Sequence, residues 1–340
     1  MKSILITGGA GFLGSYLCQE FLEHGYHIKV IDNFSKYGAI NRSFFGHQNF
    51  DLIEGDCVDK NLMREICGDV DFVIANAAMI GGISYFHKYA YDLLATNERI
   101  LANTFDACIE AYQRGKLERI IVMSSSMVFE SATKFPSAED DIREIPPPLS
   151  TYGFQKLSCE YFAHGAYEQY GLPFTIVRPF NCVGVGEGKS LSNDDATVGD
   201  IEMSMSHVLP DLAQKCLRGQ QPLHILGTGS QVRCYTHGRD IARALRYVVE
   251  SEKAVNQAFN ISASRPTSVL ELAELVWREV NPSIPFSYIS DEPFPYDVQK
   301  RIPDIAKART LLNFEASIDL EESVKEVVDW VKEALATGDI

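Results

Sequence analysis

A chain of 340 residues, 46% hydrophobic and 23% charged, has the composition of a soluble globular protein and the length of about two domains. Its net charge of −15 excludes a surface built for nucleic acid or an anionic membrane, though a few arginines can still form a local pocket for an anionic substrate. No apolar run approaches the ~20 residues of a membrane span. The first expected strand starts almost at Met1, which leaves no room for a signal peptide and points to the cytoplasm.

The apolar run Ile4-Leu5-Ile6 reads as a buried parallel strand. Thr7-Gly8-Gly9-Ala10-Gly11-Phe12-Leu13-Gly14 follows it. Then comes a helical stretch, 15–25, with Leu17, Phe21 and Leu22 on one face. Strand, glycine turn and helix make a nucleotide-binding opening. Gly8 and Gly11 would let the backbone approach a pyrophosphate, and Gly14 would let the helix pack on the strand. The phosphates would sit on the N–H groups at the helix N-terminus. The spacing, G-x-x-G-x-x-G, differs from the commoner G-x-G-x-x-G. A second apolar run, 28–31, ends in Asp32, where an acidic residue would bind a ribose 2′-OH. A carboxylate there would repel a 2′-phosphate, so the expected cofactor is NAD rather than NADP.

Further strands are expected at 50–53, Phe72–Ala75, Arg119–Met123 and 174–177, alternating with helices at Lys60–Cys67, 91–114 and Thr151–Tyr170. This βαβ alternation predicts an α/β fold of the Rossmann type, a doubly wound parallel sheet. Ligands in such sheets bind at the carboxyl ends of the strands. Those ends carry Thr7 onward, Asp32, Gly55-Asp56, Asn76-Ala77-Ala78, Ser124-Ser125 and Arg178-Pro179.

After Phe180 the texture changes. Residues 184–199 read as a loop, 207–217 as an amphipathic helix and Leu223–Leu226 as a short strand. Helices are expected at 239–250, 268–280, 305–312 and 320–335, with 284–302 an ordered loop. The expected division is a dinucleotide-binding domain over 1–180, to which 234–262 returns, and a smaller α/β substrate domain over 181–233 and 263–340. Gly188-Lys189-Ser190 is not a P-loop, because position 183 is valine and no strand leads in. The eight cysteines form no C-x-x-C pair and read as buried, reduced thiols. His24 and His27 have no further ligands at metal spacing, so no metal is expected.

Tyr152 and Lys156 stand at i and i+4, which on a helix puts phenol and ammonium on one face. A phenol titrates near 10, and a neighbouring cation favours the phenolate, which makes it a usable base near neutral pH. Ser124-Ser125-Ser126 lies at a strand end that would face the cofactor.

Taken in order, TGGAGFLG, Asp32, Gly55-Asp56, Asn76-Ala77-Ala78, Ser124-Ser125, Tyr152-x-x-x-Lys156 and Arg178-Pro-x-Asn181 resemble the extended short-chain dehydrogenase/reductases. Within them the chain looks most like the NAD-dependent nucleotide-sugar epimerase/dehydratase branch, typified by UDP-galactose 4-epimerase, over essentially its whole length. The resemblance implies Ser125 as the catalytic hydroxyl, Tyr152 as the acid/base and Lys156 as the group that binds the nicotinamide ribose. It implies cofactor contacts from Gly8, Gly11, Phe12, Leu13, Asp32 and Asn33. Asp56 and Cys57 would lie near the adenine, with Ala77, Ala78, Asn97, Ser124 and Pro179 along the rest of the cofactor. The substrate, a nucleotide-diphosphate sugar, would meet Gly81, Gly82, Ser125, Ser126, Tyr152 and Asn181. Arg233 and Arg301 would hold its diphosphate through charge-assisted bonds. A homodimer is implied, through 91–114 and Thr151–Tyr170.

Ser126 and Met127 stand where the family's 4,6-dehydratases carry Asp-Glu. Met127 also replaces the glutamate of its glucuronate decarboxylases and the cysteine of its 3,5-epimerases. A thioether exchanges no proton, and elimination leaves 4-epimerisation. Dehydratase and 3,5-epimerase/reductase remain the alternatives, with a non-catalytic NAD-binding sensor as a third. Three features stand apart: Phe129-Glu130 replaces the family's usual Tyr-Gly, Gly81-Gly82-Ile83 resembles the substrate loop of the 3,5-epimerases, and His87 nearby could serve as an additional acid.

Overall fold

The computed structural model describes residues 1–38, 41–80, 88–187, 197–198, 201–202, 207–293 and 298–338. The first half alternates as its apolar pattern predicts: β1 (Ser3–Thr7), α1 (Phe12–Glu23), β2 (His27–Asp32), β3 (Phe50–Glu54), α2 (Lys60–Cys67), β4 (Phe72–Ala75), α3 (Ala90–Gln113), β5 (Arg119–Met123), α4 (Thr151–Tyr170) and β6 (Phe174–Pro179). Helix ends follow local chemistry. Asp59 caps α2 by accepting from Asn61 N and Leu62 N, and Gly171 ends α4 in the left-handed region that glycine tolerates.

The second half contributes β7 (Cys182–Val183), β8 (Thr197–Val198), β9 (Ile201–Glu202), α5 (Val208–Leu217), β10 (Leu223–Leu226), β11 (Val232–Cys234), β12 (Thr236–His237) and α6 (Gly238–Glu250). It continues with β13 (Gln257–Ile261), β14 (Pro266–Ser268), α7 (Val269–Val280), β15 (Tyr288–Asp291), β16 (Lys300–Arg301), α8 (Ala306–Leu312) and α9 (Leu320–Thr337). Several of these strands, β8, β13, β15 and β16 among them, correct the sequence reading. Residues 284–302 were expected as a loop, yet β15 pairs with β10 and β16 with β11. A strand of two to four residues carries no periodicity, and its pairing comes from a distant segment. β13 was not among the expected strands because Gln257 and Asn260 interrupt its apolar pattern. Asn260 is buried, and its polar groups bond to Glu139 and Ser137.

Seven strands form one sheet in the order β13-β6-β5-β4-β1-β2-β3, with every pairing parallel. Alternation along β1 sends Ile4 and Ile6 to one face, against α1, α6 and α8, and Leu5 to the other, against α2, α3 and α4. Both faces are covered, as a parallel sheet requires. A separate core joins α5, α7, α9 and β10 around Trp277. Among the described residues no helix is long and apolar enough to cross a membrane.

Candidate active site

The turn from β1 to α1 is shaped by what its glycines lack. Gly8 has φ +67°, and a Cβ there would stand 3.0 Å from the Ala77 Cα. A Cβ on Gly14 would overlap the Gly8 carbonyl oxygen, so α1 could not pack so close to the turn. Gly11 is the N-cap of α1, no side chain caps the helix, and its first turn holds no acidic residue. Donors and helix dipole are thus presented to an anion, a cradle that fits a dinucleotide pyrophosphate. At the end of β2, Asp32 Oδ2 accepts from Ala10 N at 3.0 Å and Oδ1 from Phe34 N at 2.9 Å. These two bonds fix the carboxylate beside the cradle, and its remaining lone pairs are available to a ribose hydroxyl. Asn33 Nδ2 donates to Asp56 Oδ2 at 2.9 Å and closes the edge of this half. Arg42, not singled out in the sequence, grips the Ala10 carbonyl from Nε and Nη2 and ties it to the Gly186 carbonyl.

Helix α4, which carries Tyr152 and Lys156, is positioned from its first turn. Ser150 Oγ caps it by accepting from Gly153 N, while Glu130 Oε2 accepts from Ser150 N at 3.1 Å and Ser150 Oγ at 2.8 Å. The departure Phe129-Glu130 therefore has a structural role: the carboxylate anchors the start of the helix. Tyr152, Lys156 and Glu160 then fall on one face of α4 at steps of four. Lys156 Nζ donates to the Met123 carbonyl at 2.9 Å and lies 6.0 Å from the Tyr152 ring centroid. Glu160 Oε1 accepts from Ser124 Oγ at 2.6 Å and Arg178 Nε at 2.8 Å, and its Oε2 accepts from Arg178 Nη2 at 2.7 Å. This buried fork locks α4 to the ends of β5 and β6.

Ser125 Oγ accepts from Met127 N at 3.2 Å, which caps a 3-10 turn over Ser126–Phe129 and leaves the hydroxyl proton to donate. Around the buried Tyr152 ring lie Leu93, Met79, Ile80, Tyr89 and Met127, an apolar wall.

In the other half, β11 and β16 run parallel and set Arg233 opposite Arg301, from segments far apart in sequence. Arg301 Nη1 donates to Ser126 Oγ at 3.2 Å, which links this pair to the 3-10 turn. Tyr235 and His207 went unnoticed in the sequence. Tyr235 is 6% exposed, and its hydroxyl has no hydrogen-bond partner among the described residues. Burial pushes this phenol up to about 12, against the opposing pull of Arg233 and Arg301, so it is a neutral donor. His207 Nδ1 pairs with the buried Glu187 Oε1 at 2.7 Å, and its ring centroid lies 5.9 Å from that of Phe12. Their signals, a tyrosine two residues after a site arginine and a histidine capping a cleft helix, are too common to read without a fold.

One continuous cleft of about 1190 Å³ joins these parts. That exceeds the ~300–1,000 Å³ of a single small-molecule pocket and suits two ligands side by side. Gly8, Gly11, Phe12, Leu13, Asp32 and Asn33 line it, as do Asp56, Cys57, Ala77, Ala78, Ser124 and Pro179. Ser125, Ser126, Tyr152, Lys156, Asn181, Arg233 and Arg301 complete it from the other side. Asn97 is not among the residues that line the cleft. Its Oδ1 accepts from Met79 N at 2.6 Å and its Nδ2 donates to Met79 O at 2.9 Å, so it shapes the lining segment. Gly81, Gly82, Ile83 and His87, and Gly188-Lys189-Ser190, lie outside the described residues. Among the described residues no group of three His, Cys, Asp or Glu side chains could hold a metal ion.

The model of the NAD dependent epimerase/dehydratase family matches residues 4–262. The chain belongs to that family. It is 29% identical to the UDP-N-acetyl-alpha-D-glucosaminuronate decarboxylase of Bacillus cytotoxicus, over 98% of both chains. The UDP-glucose 4-epimerase of Thermotoga maritima, solved with UDP-glucose, superposes with a TM-score of 0.80 at 28% identity, over 98% of this chain and 99% of that one. The UDP-glucuronic acid 4-epimerase of Bacillus cereus, solved with UDP-glucuronic acid and NAD, gives a TM-score of 0.80 at 25% identity, over 97% and 99%. The cofactor of this epimerase/dehydratase family member is NAD, and the glycine cradle with Asp32 is where its residues fit one. The family's enzymes act in more than one way after binding their substrate, and the residues around Tyr152 must separate the outcomes.

Proposed function

We propose that this protein is a nucleotide-sugar 4-epimerase, acting on a UDP-sugar. The observation that carries the reading is the pairing of Tyr152 and Lys156 with Ser125 in a cleft whose wall beside them is the thioether of Met127. Bound in the cradle, NAD supplies a reversible hydride acceptor for the sugar C4. Tyr152 takes the O4 proton as general base and later returns it as general acid. Ser125 donates a hydrogen bond to O4, and Lys156, held by the Met123 carbonyl, keeps its ammonium beside the phenol. No second proton is moved at carbon, and the Met127 thioether beside Tyr152 has none to exchange. The net change is inversion at C4. Support for UDP comes from the relatives solved with UDP-glucose and UDP-glucuronic acid.

Turnover in deuterated water tests this. UDP-glucose, UDP-N-acetylglucosamine and UDP-glucuronate are each incubated with the enzyme. A C4 epimer free of carbon-bound deuterium is expected. Deuterium at C3 or C5, or release of carbon dioxide from the uronate, would mean that another group supplies an acid or base and would replace epimerisation with 3,5-epimerisation, dehydration or decarboxylation. A protein that holds NAD and converts no nucleotide sugar would return the sensor reading.

The substrate domain, 181–233 with 263–340, would hold the diphosphate between Arg233, Arg301 and the Tyr235 hydroxyl. Arg233→Met and Arg301→Met are each expected to raise KM for the nucleotide sugar by ~10-fold or more, the scale of one charged hydrogen bond, while bound NAD is unchanged. Unchanged KM in both variants would remove the pair from the site.

The same reading carries a homodimer through α3 and α4, where Tyr91 is 76% and Tyr161 is 72% exposed. Sedimentation should give about twice the chain mass, and Tyr161→Glu should shift it toward the monomer. A monomeric wild type would end this part of the reading. All eight cysteines are free, as suits the reducing cytoplasm.

A further inference from the structure

Asp211 and Lys215 stand one turn apart on α5, both lining the cleft, and both are buried, at 5% and 2% exposed. Lys215 Nζ lies 2.6 Å from Asp211 Oδ2 and 3.5 Å from the His224 carbonyl of β10. Asp211 Oδ1 is buried and has no hydrogen-bond partner among the described residues.

Stability does not explain this arrangement. A buried ion pair seldom outperforms apolar residues of the same volume, and a buried carboxylate oxygen without a donor adds a desolvation cost. Burial accordingly pushes the Asp211 carboxyl up, with Lys215 opposing. Leu209, Leu212, Ile225 and Leu226 line the same cleft.

Its place along the cleft follows from contacts already described. The sugar end is Tyr152 and Ser125. Ser126 links that end to Arg301, which stands opposite Arg233. Two residues before Arg233, Gln231 Nε2 donates to the Leu226 carbonyl of β10, and β10 reaches Lys215 through His224. Sugar, diphosphate and then the corner of α5 and β10 follow in that order, so a nucleotide sugar held by the arginines would carry its base to this corner.

We propose that Asp211 and Lys215 read the edge of the nucleobase. Lys215 donates to a base carbonyl, and Asp211 Oδ1 accepts the neighbouring ring N–H. In uracil these are O4 and N3–H. The proposal rests on the reading of the substrate as a UDP-sugar and adds the residues that select its base.

The test is direct binding to the NAD-loaded enzyme of UDP and of its N3-methyl derivative, which lacks the N–H. The wild type is expected to prefer UDP by ~10-fold or more, the scale of a hydrogen bond to a charged group. The double variant Asp211→Leu/Lys215→Met, of similar volume, should bring that preference close to one while bound NAD is retained. Should the double variant fail to fold, Asp211→Asn is read in the same way and should narrow the preference. A wild type blind to N3-methylation, or a folded variant that keeps the full preference, overturns the proposal and leaves the UDP-sugar reading intact. Binding of neither nucleotide overturns both.

Discussion

Tyr152→Phe is expected to lower kcat by ~10²–10⁴-fold, the usual effect of removing a general base. The ring is buried against Leu93, Met79, Ile80 and Met127, and phenylalanine preserves every one of those contacts. Lys156 keeps its bond to the Met123 carbonyl, and Ser125 keeps its place at the head of the 3-10 turn. The loss should therefore appear in kcat, with the fold and the bound NAD unaltered. A variant that turns over within a few-fold of wild type would show that another group takes the O4 proton.

Arg178→Met should cost about 3–5 kcal/mol of stability, the scale for breaking a buried ion pair by removing one partner. Arg178 and Glu160 are both almost fully buried, and the guanidinium also lies 5.1 Å from the centroid of the Phe129 ring. Without it, the Glu160 carboxylate would keep Ser124 as its remaining described donor. The same fork ties the helix that carries Tyr152 to the strands that carry Ser124 and Ser125, so kcat should fall along with stability. Urea unfolding measures the first effect. A loss under ~0.5 kcal/mol, the range of an ordinary surface substitution, would show that the fork does not hold α4 in place.

The parts of the site legible in the sequence are those whose geometry is local. Gly8, Gly11 and Gly14 lie within one turn between a strand and a helix, and Asp32 ends the next strand. Tyr152 and Lys156 are one helical turn apart, and a helix puts that spacing on one face whatever surrounds it. The parallel sheet was legible for the same reason, since strands buried on both faces read as apolar runs.

Non-local geometry was not legible without the fold or a family resemblance. Arg233 and Arg301 became neighbours only through the pairing of β11 with β16, a strand two residues long. Asn97, placed on the cofactor by resemblance, bonds from both ends of its amide to the Met79 backbone, a contact only the fold shows. Glu130, a departure from the family's usual glycine, is a helix anchor because the chain brings Ser150 back to it. Tyr235, His207, and Asp211 with Lys215 have ordinary sequence contexts, and only their burial in the wall of one cleft marks them. By itself the sequence determined the sheet apart from its edge strand β13, the cofactor cradle and the shared face of Tyr152 and Lys156, because those rest on the periodicity and turn chemistry of contiguous residues. The tertiary structure decided which distant side chains share the cleft and which are left behind it, because that depends on pairings and burial no contiguous stretch encodes.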